Sequence, residues 1–261
     1  MTDARTPGYW RAEIRAGRWR SPTAGLAAGY VQANLVVLPE AHAGDFRLFC
    51  DRNPGPCPLL DLTAPGDPVP RAAAPDADLR TDVPLYRVHR DGELVEERPD
   101  LLGLWRGDLV AFLLGCSFTF EEALREAGLP LRHLERGSNV SMYVTNRMCA
   151  PAGPFVGPMV VSMRPFPRAE LTRVAEITAR YPFAHGAPVH AGDPAAIGIR
   201  DLGRPDYGDV LPIEPGEVPV FWACGVTPQA VAARARLPFM ITHAPGHMFL
   251  TDLTVEALAA R

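Results

Sequence analysis

The chain has 261 residues, 47% apolar and 21% charged, which is long enough for one large domain or two modest ones and too hydrophobic for a disordered segment. Its formal net charge is −4 and its 26 Lys/Arg residues are all arginine, so it has no cationic excess to neutralise nucleic-acid phosphates. With no apolar run of about 18 residues, no apolar core among the arginines at 5, 11, 15, 18 and 20, and no CxxC among Cys50, Cys57, Cys116, Cys149 and Cys224, neither a membrane span, a secretory signal nor a disulfide framework is expected, and a cytoplasmic location with reduced thiols follows.

Residues 9–17 have a short helical pattern closed by Gly17, and a Pro/Gly-rich turn leads into the apolar run 31–39, the first buried strand. Residues 41–53 suit a helix ending before Pro54. The stretch 53–84 carries too many prolines for any long regular element and is expected to be an ordered, functional or wrapping loop. Alternation on both sides of Asp91-Gly92 predicts a tight hairpin over 86–98, and 101–116 reads as a buried helix. Next come a helix over 120–128, strands over 129–135, 139–146 and 158–165, and an amphipathic helix over 168–181. Beyond Pro182, a strand over 218–225, a helix capped by Thr227 with Pro228 at its first position, and a strand over 237–246 have the texture of a βαβ unit. This pattern predicts a discontinuous main domain (1–113 plus 185–261) with an inserted subdomain (114–184).

Where the predicted strand ends at Cys224-Gly225, the free N–H groups at the start of the next helix, with Thr227 and Gln229, make an anion site and favour the Cys224 thiolate. The structural alternative is a small core cysteine and an ordinary cap. His185, His190 and Asp193 share a Gly/Pro-punctuated loop, and His243, His247 and Asp252 lie in the last strand region. Four imidazoles and two carboxylates supply a general acid, a general base or metal ligands, and the spacing does not choose among them. Pro245-Gly246 rules out the helical geometry of a two-histidine zinc motif, so no metal is expected. Ser117, Thr145, Asn146 and Arg164 are candidates for orienting a substrate carboxylate; the stronger structural alternative makes Glu121 a helix-dipole charge and Arg164 a surface or ion-paired residue. The glycines of 22–35 are too loosely spaced for a dinucleotide fingerprint, and no P-loop or nucleophile elbow occurs, so no cofactor is expected.

The segments PTAGLAAGYVQANL, AFLLGCSFTFEEAL, NVSMYVTN, HGAPVHAGDPAAIGI, VPVFWACGVTPQ and THAPGHMF occur in that order over nearly the whole chain, which resembles the YcsI-like hydro-lyase family, related to a domain of D-glutamate cyclase. The resemblance implies an α/β fold (α+β overall), with an α/β/α layered main domain and a smaller two-layer αβ domain. It also implies a lyase acting on a small-molecule carboxylate. The chain departs from the family pattern at Ser141, where proline is expected, and at Val144, where arginine or another polar residue is expected; both departures allow a shifted substrate. Cyclisation of D-glutamate to 5-oxo-D-proline is a dehydration that needs a base, an acid and oxyanion donors but no redox cofactor. On this reading His190 or His243 with Asp193 serve as acid and base, the amides of 225–227 as oxyanion donors, and Arg164 with Asn146 as the carboxylate site. Dehydration of a small hydroxy acid, covalent chemistry through Cys224 and a non-catalytic metabolite-binding protein stand as alternatives, with homo-oligomerisation a base-rate expectation.

Overall fold

Thr6, accepting the Tyr9 N–H at 3.3 Å, and Pro7 at the first helical position start α1 (Pro7–Arg15) in the computed structural model, which describes residues 5–259. There follow β1 (Tyr30–Pro39), α2 (Glu40–Arg52), β2 (Leu59–Leu62), β3 (Tyr86–Arg90), β4 (Glu93–Arg98) and β5 (Leu109–Gly115). Then come α3 (Phe118–Glu126), α4 (Arg132–Arg136), β6 (Ser141–Met148), β7 (Pro158–Pro167), α5 (Leu171–Ala179), β8 (His190–Ala191), β9 (Glu217–Ala223), α6 (Val226–Arg234), β10 (Met240–His243), β11 (Phe249–Thr254) and α7 (Val255–Ala259). None of the described helices is long and apolar enough to cross a membrane.

The fold is mixed α/β with two sheets, and the strand pairs in both are antiparallel. The larger sheet runs β2-β5-β1-β10-β3-β4, with β11 sharing the β10 edge of β1. β1 sits at its centre and is buried on both sides from Val31 to Leu38, as its unbroken apolar run demands. One face packs Val36, Leu38, Phe112 and Leu114 against Phe46 and Phe49 of α2 and Val231 of α6. The opposite face packs Leu35, Val37, Leu113 and Ile241 against Ala74, Leu79, Val83 and Leu101. The proline-rich stretch is thus a wrapping layer on that face, and α1 closes the β11 end with Arg11 on Asp252 and Arg15 on Asp82.

The hairpin forms as predicted: Asp91 and Gly92 take φ of 50° and 84°, and a Cβ at Gly92 would come within 2.3 Å of the Ala233 carbonyl at the end of α6. Four sequence-based expectations fail, the first being the cap of α6 (Val226–Arg234): Gly225 is its N-cap, Thr227 and Pro228 are its second and third residues, and Thr227 Oγ1 bonds Val160 of β7 instead of capping. Residues 109–115 form a strand, not part of a helix, because seven consecutive buried apolar residues carry no period that separates the two. Residues 132–136 form α4 rather than a strand, closed by Gly137 in the left-handed region. The expected βαβ unit is absent: β9 belongs to the second sheet, ordered β6-β7-β9-β8, while β10 belongs to the first, so α6 crosses between sheets. Local texture orders strand, helix and strand but cannot say which sheet edge receives each strand. For the same reason β8 and β9, past residue 184, pair with each other and with β7.

The second sheet packs Phe166, Val220 and Trp222 against Phe120 and Leu124 of α3 and Val174 and Ile177 of α5. Its outer face packs Tyr143, Val161, Met163 and Phe221 against Ile197, Ile199 and Leu211 of the loop that precedes β9.

Candidate functional site

Alternation along β7 turns Ser162 and Arg164 toward α3, and the β9 register sets Trp222 opposite Ser162. The Arg164 guanidinium is fully buried between Phe120 and Trp222, 5.3 and 5.6 Å from their ring centroids. Its Nε donates to Glu121 Oε1 at 2.9 Å, Nη2 to the same oxygen and to Ser117 Oγ at 2.9 Å, and Nη1 to Ser162 Oγ at 3.1 Å. His133 of α4 brings Nε2 to 3.0 Å from Glu121 Oε1. Burial alone would raise the Glu121 carboxyl, but the charges of His133 and Arg164 beside it, with the Arg164 hydrogen bonds, outweigh it and hold the group at about 2. Glu121 is therefore an ionised carboxylate with Oε1 pinned, and among the described residues none donates a hydrogen bond to its Oε2.

Glu121 also lines a cavity of about 340 Å³ between α3 and the turn entering β1. Residues 25–30, Gln32, Phe118, Thr119 and the ion-paired Glu122 and Arg125 supply much of the remaining wall. This is within the roughly 300–1,000 Å³ of small-molecule sites. Two thiols adjoin the charged pair. Burial pushes Cys116 up to about 12 and Cys224 up to about 11, and the Val226 N–H and Arg164 lower Cys224 only in part, so neither supplies a thiolate near neutral pH in the unliganded protein.

The seam between α3 and β7 gathers, around Arg164, Ser117, Cys224 and His185 from the sequence-predicted set. His185 is buried in a left-handed backbone conformation (φ 80°), donates Nδ1–H to the Gly55 carbonyl at 2.8 Å, and has its Nε2 lone pair unused. Burial, with a contribution from Arg164, lowers it to about 4, so it is neutral. Arg164 was expected to face a substrate carboxylate together with Asn146, but four of its five N–H donors go to Glu121, Ser117 and Ser162. Asn146 is exposed against Gly198 near the far end of the sheet, roughly 17 Å along β7 at the rise of a strand. Thr145 donates to the Met159 carbonyl at 2.7 Å.

The expected oxyanion site at 225–227 is largely occupied. The Val226 N–H bonds the Cys224 thiol, the Thr227 N–H bonds the Cys224 carbonyl at 2.9 Å, and Thr227 Oγ1 pairs with both backbone groups of Val160. Gly225 is required because a Cβ there would lie 2.1 Å from Asn34 Nδ2. His243, buried at the end of β10, accepts the Leu35 N–H on Nδ1 at 3.0 Å with Gln229 Nε2 2.9 Å away; burial lowers it to about 4, leaving a neutral ring with its proton on Nε2.

The His190–Asp193 dyad does not form. His190 Nε2 lies 2.7 Å from the backbone carbonyl of Asp193, whose carboxylate caps the following turn through the Ala195 N–H at 3.0 Å. His247 sets its two nitrogens 2.9 and 3.2 Å from the carbonyls of Pro245 and Arg20, tying two loops together, and Asp252 of β11 holds Arg11 of α1. Of the two departures from the family pattern, Ser141 donates to the Asp209 carbonyl and accepts the Leu211 N–H, bonds a proline could not make. Val144 packs beside the cluster of Met142, Val160, Cys224 and Val226.

Glu121 and His133 were missed as functional residues, and Glu121 had a signal. Ser117, Phe120, Glu121 and Leu124 fall on one helical stripe, so a carboxylate stands where the period places core. Among the described residues no three His, Cys, Asp or Glu side chains converge to hold a metal ion.

The profile of the D-glutamate cyclase family matches residues 110–252. A Rubrobacter xylanophilus protein described as "Putative hydro-lyase" is 66% identical over 93% of both chains. A Bordetella pertussis protein of the same description is 62% identical over 96% of this chain and 90% of its own. "Putative hydro-lyase YcsI" of Bacillus subtilis is 59% identical over 95% of this chain and 97% of its own.

Proposed function

The chain belongs to the D-glutamate cyclase family of hydro-lyases, and on that premise we propose that it removes water from a small amino acid in the cavity beside α3, as in the cyclisation of D-glutamate to 5-oxo-D-proline. The observation that carries this reading is Glu121: a carboxylate kept ionised inside the protein, with one oxygen fixed and the other without a donor among the described residues, in the wall of a cavity of about 340 Å³. A group held at about 2 is a poor base but a strong partner for a substrate ammonium. Arg125, the cation among the cavity's lining residues, exchanges its surface partner Glu122 for the substrate carboxylate.

In the reaction an ammonium and a carboxylate become an amide and water. The ammonium loses a proton, the amine attacks the γ-carboxyl carbon, the nitrogen loses a second proton, and one carboxyl oxygen departs with both as water. The proton acceptor is a group other than Glu121 or His185: the first is held ionised at about 2, and the second, with its Nδ1–H on Gly55, is not among the residues lining the cavity. Neutral thiols at Cys116 and Cys224 speak against a covalent route.

The test is incubation with D- and L-glutamate, related amino acids and small hydroxy acids, followed by mass spectrometry for loss of one water. Loss from one amino-acid stereoisomer is expected, with Glu121→Gln lowering kcat/KM by about 100-fold, equivalent to ~3 kcal/mol. No loss from any amino acid, or water lost only from a hydroxy acid, would overturn the proposal.

A further inference from the structure

Four described side chains bury a polar nitrogen that has no hydrogen-bond partner: Trp10, Trp19, His89 and His133. His133 alone leaves both ring nitrogens unpaired. Buried polar groups are satisfied in the great majority of cases, so a doubly orphaned imidazole calls for a reason. Packing does not provide one. The ring lies parallel to Phe118 with centroids 6.5 Å apart, a place an apolar ring fills without losing any polar partner. What the imidazole adds is its position: Nε2 is 3.0 Å from Glu121 Oε1, although the N–H direction misses the oxygen and no straight hydrogen bond results. The backbone around it is tied down, with the Ser138 N–H on the His133 carbonyl at 2.9 Å and Arg132 paired to Glu217 and Glu135 on either side.

We infer that His133 is a positioning residue for Glu121, sharing Oε1 with Arg164 so that the carboxylate stays charged and its other oxygen is left to the cavity. This rests on the cavity being the site of the proposed reaction. The titratable and charged groups around Glu121 are Arg164 from β7, His133 from α4 and Cys116 just after β5, with Glu122 and Arg125 paired to each other along its own helix. Removing Arg164 would break the buried pair outright. His133 is the group whose loss changes Glu121 while leaving that pair intact.

His133→Phe removes both orphaned nitrogens and keeps a ring against Phe118, so the variant is expected to fold, with the gain at the ring set against the loss of a partner for the Glu121 carboxylate. In the wild type without substrate, the carboxyl carbon resonance of Glu121 stays that of a carboxylate at every pH at which the chain is folded. In His133→Phe its midpoint rises by one pH unit or more into the folded range, and His133→Gln, which restores a donor, brings it back down. In the cyclisation assay KM rises about tenfold while kcat changes less. An unmoved Glu121 midpoint in His133→Phe overturns the inference whatever happens to stability. The titration needs no substrate, so a wild type that dehydrates no amino acid defeats the proposed function and leaves this test standing.

Discussion

In the loop of residues 187–193 the polar groups serve the chain's own turns: His190 bonds a carbonyl three residues away and Asp193 caps the next turn. Across the seam between α3 and β7 the partners come from three separate elements, α3, α4 and β7, with Arg164 43 residues from Glu121 and 47 from Ser117. The loop looked the richer of the two in residue types suited to catalysis. The seam is richer in what catalysis needs, because its charges are desolvated and fixed by long-range packing, whereas loop groups that satisfy one another locally have little left to offer a ligand.

The largest expected effect sharpens this contrast. Arg164→Leu leaves the Glu121 carboxylate buried without its cation and is expected to cost about 3–5 kcal/mol in urea unfolding. Combining it with Glu121→Leu should recover most of that stability but no turnover, since an apolar pair packs where the ion pair stood. If the double variant keeps activity, the seam is structural only.

Next in size is a pH effect. His185 and His243 are both lowered from 6.5 to about 4, so the unfolded chain takes up protons before the folded one does. Their stabilisation is fully present above about pH 6.5 and is lost as pH falls through 4, at roughly 3 kcal/mol each. His243→Gln should therefore remove about half of the two-histidine slope of unfolding free energy between these limits, while Glu121 titrates only in more acidic solution. An unchanged slope would mean that His243 is not held neutral. The smallest effects belong to the loop: Asp193→Ala should cost about 1 kcal/mol as a lost cap, and His190→Ala should leave turnover within a factor of about three. A hundredfold loss in either would return the active site to the loop.

The main elements that position the seam were legible in local pattern. The run at 31–39, the stripe of α3, the turn at Asp91-Gly92 and the alternation of β7 each carry a period or punctuation that the residues set by themselves. Local pattern misread β5 and α4, where a solid apolar run and a short charged segment have no discriminating period. It also could not show that a proline-rich stretch would cover one face of the main sheet. Nor could it distinguish Glu121 as a helix-dipole charge from Glu121 as a buried ion. By itself, then, the sequence determined family, fold class and the local geometry of most elements, because these depend on neighbours a few residues apart. Only the tertiary structure decided that β9 joins the second sheet and β10 the first, and that Arg164, His133 and Ser117 converge on Glu121, because burial and the charge of a carboxylate depend on groups the chain brings together from far along its length.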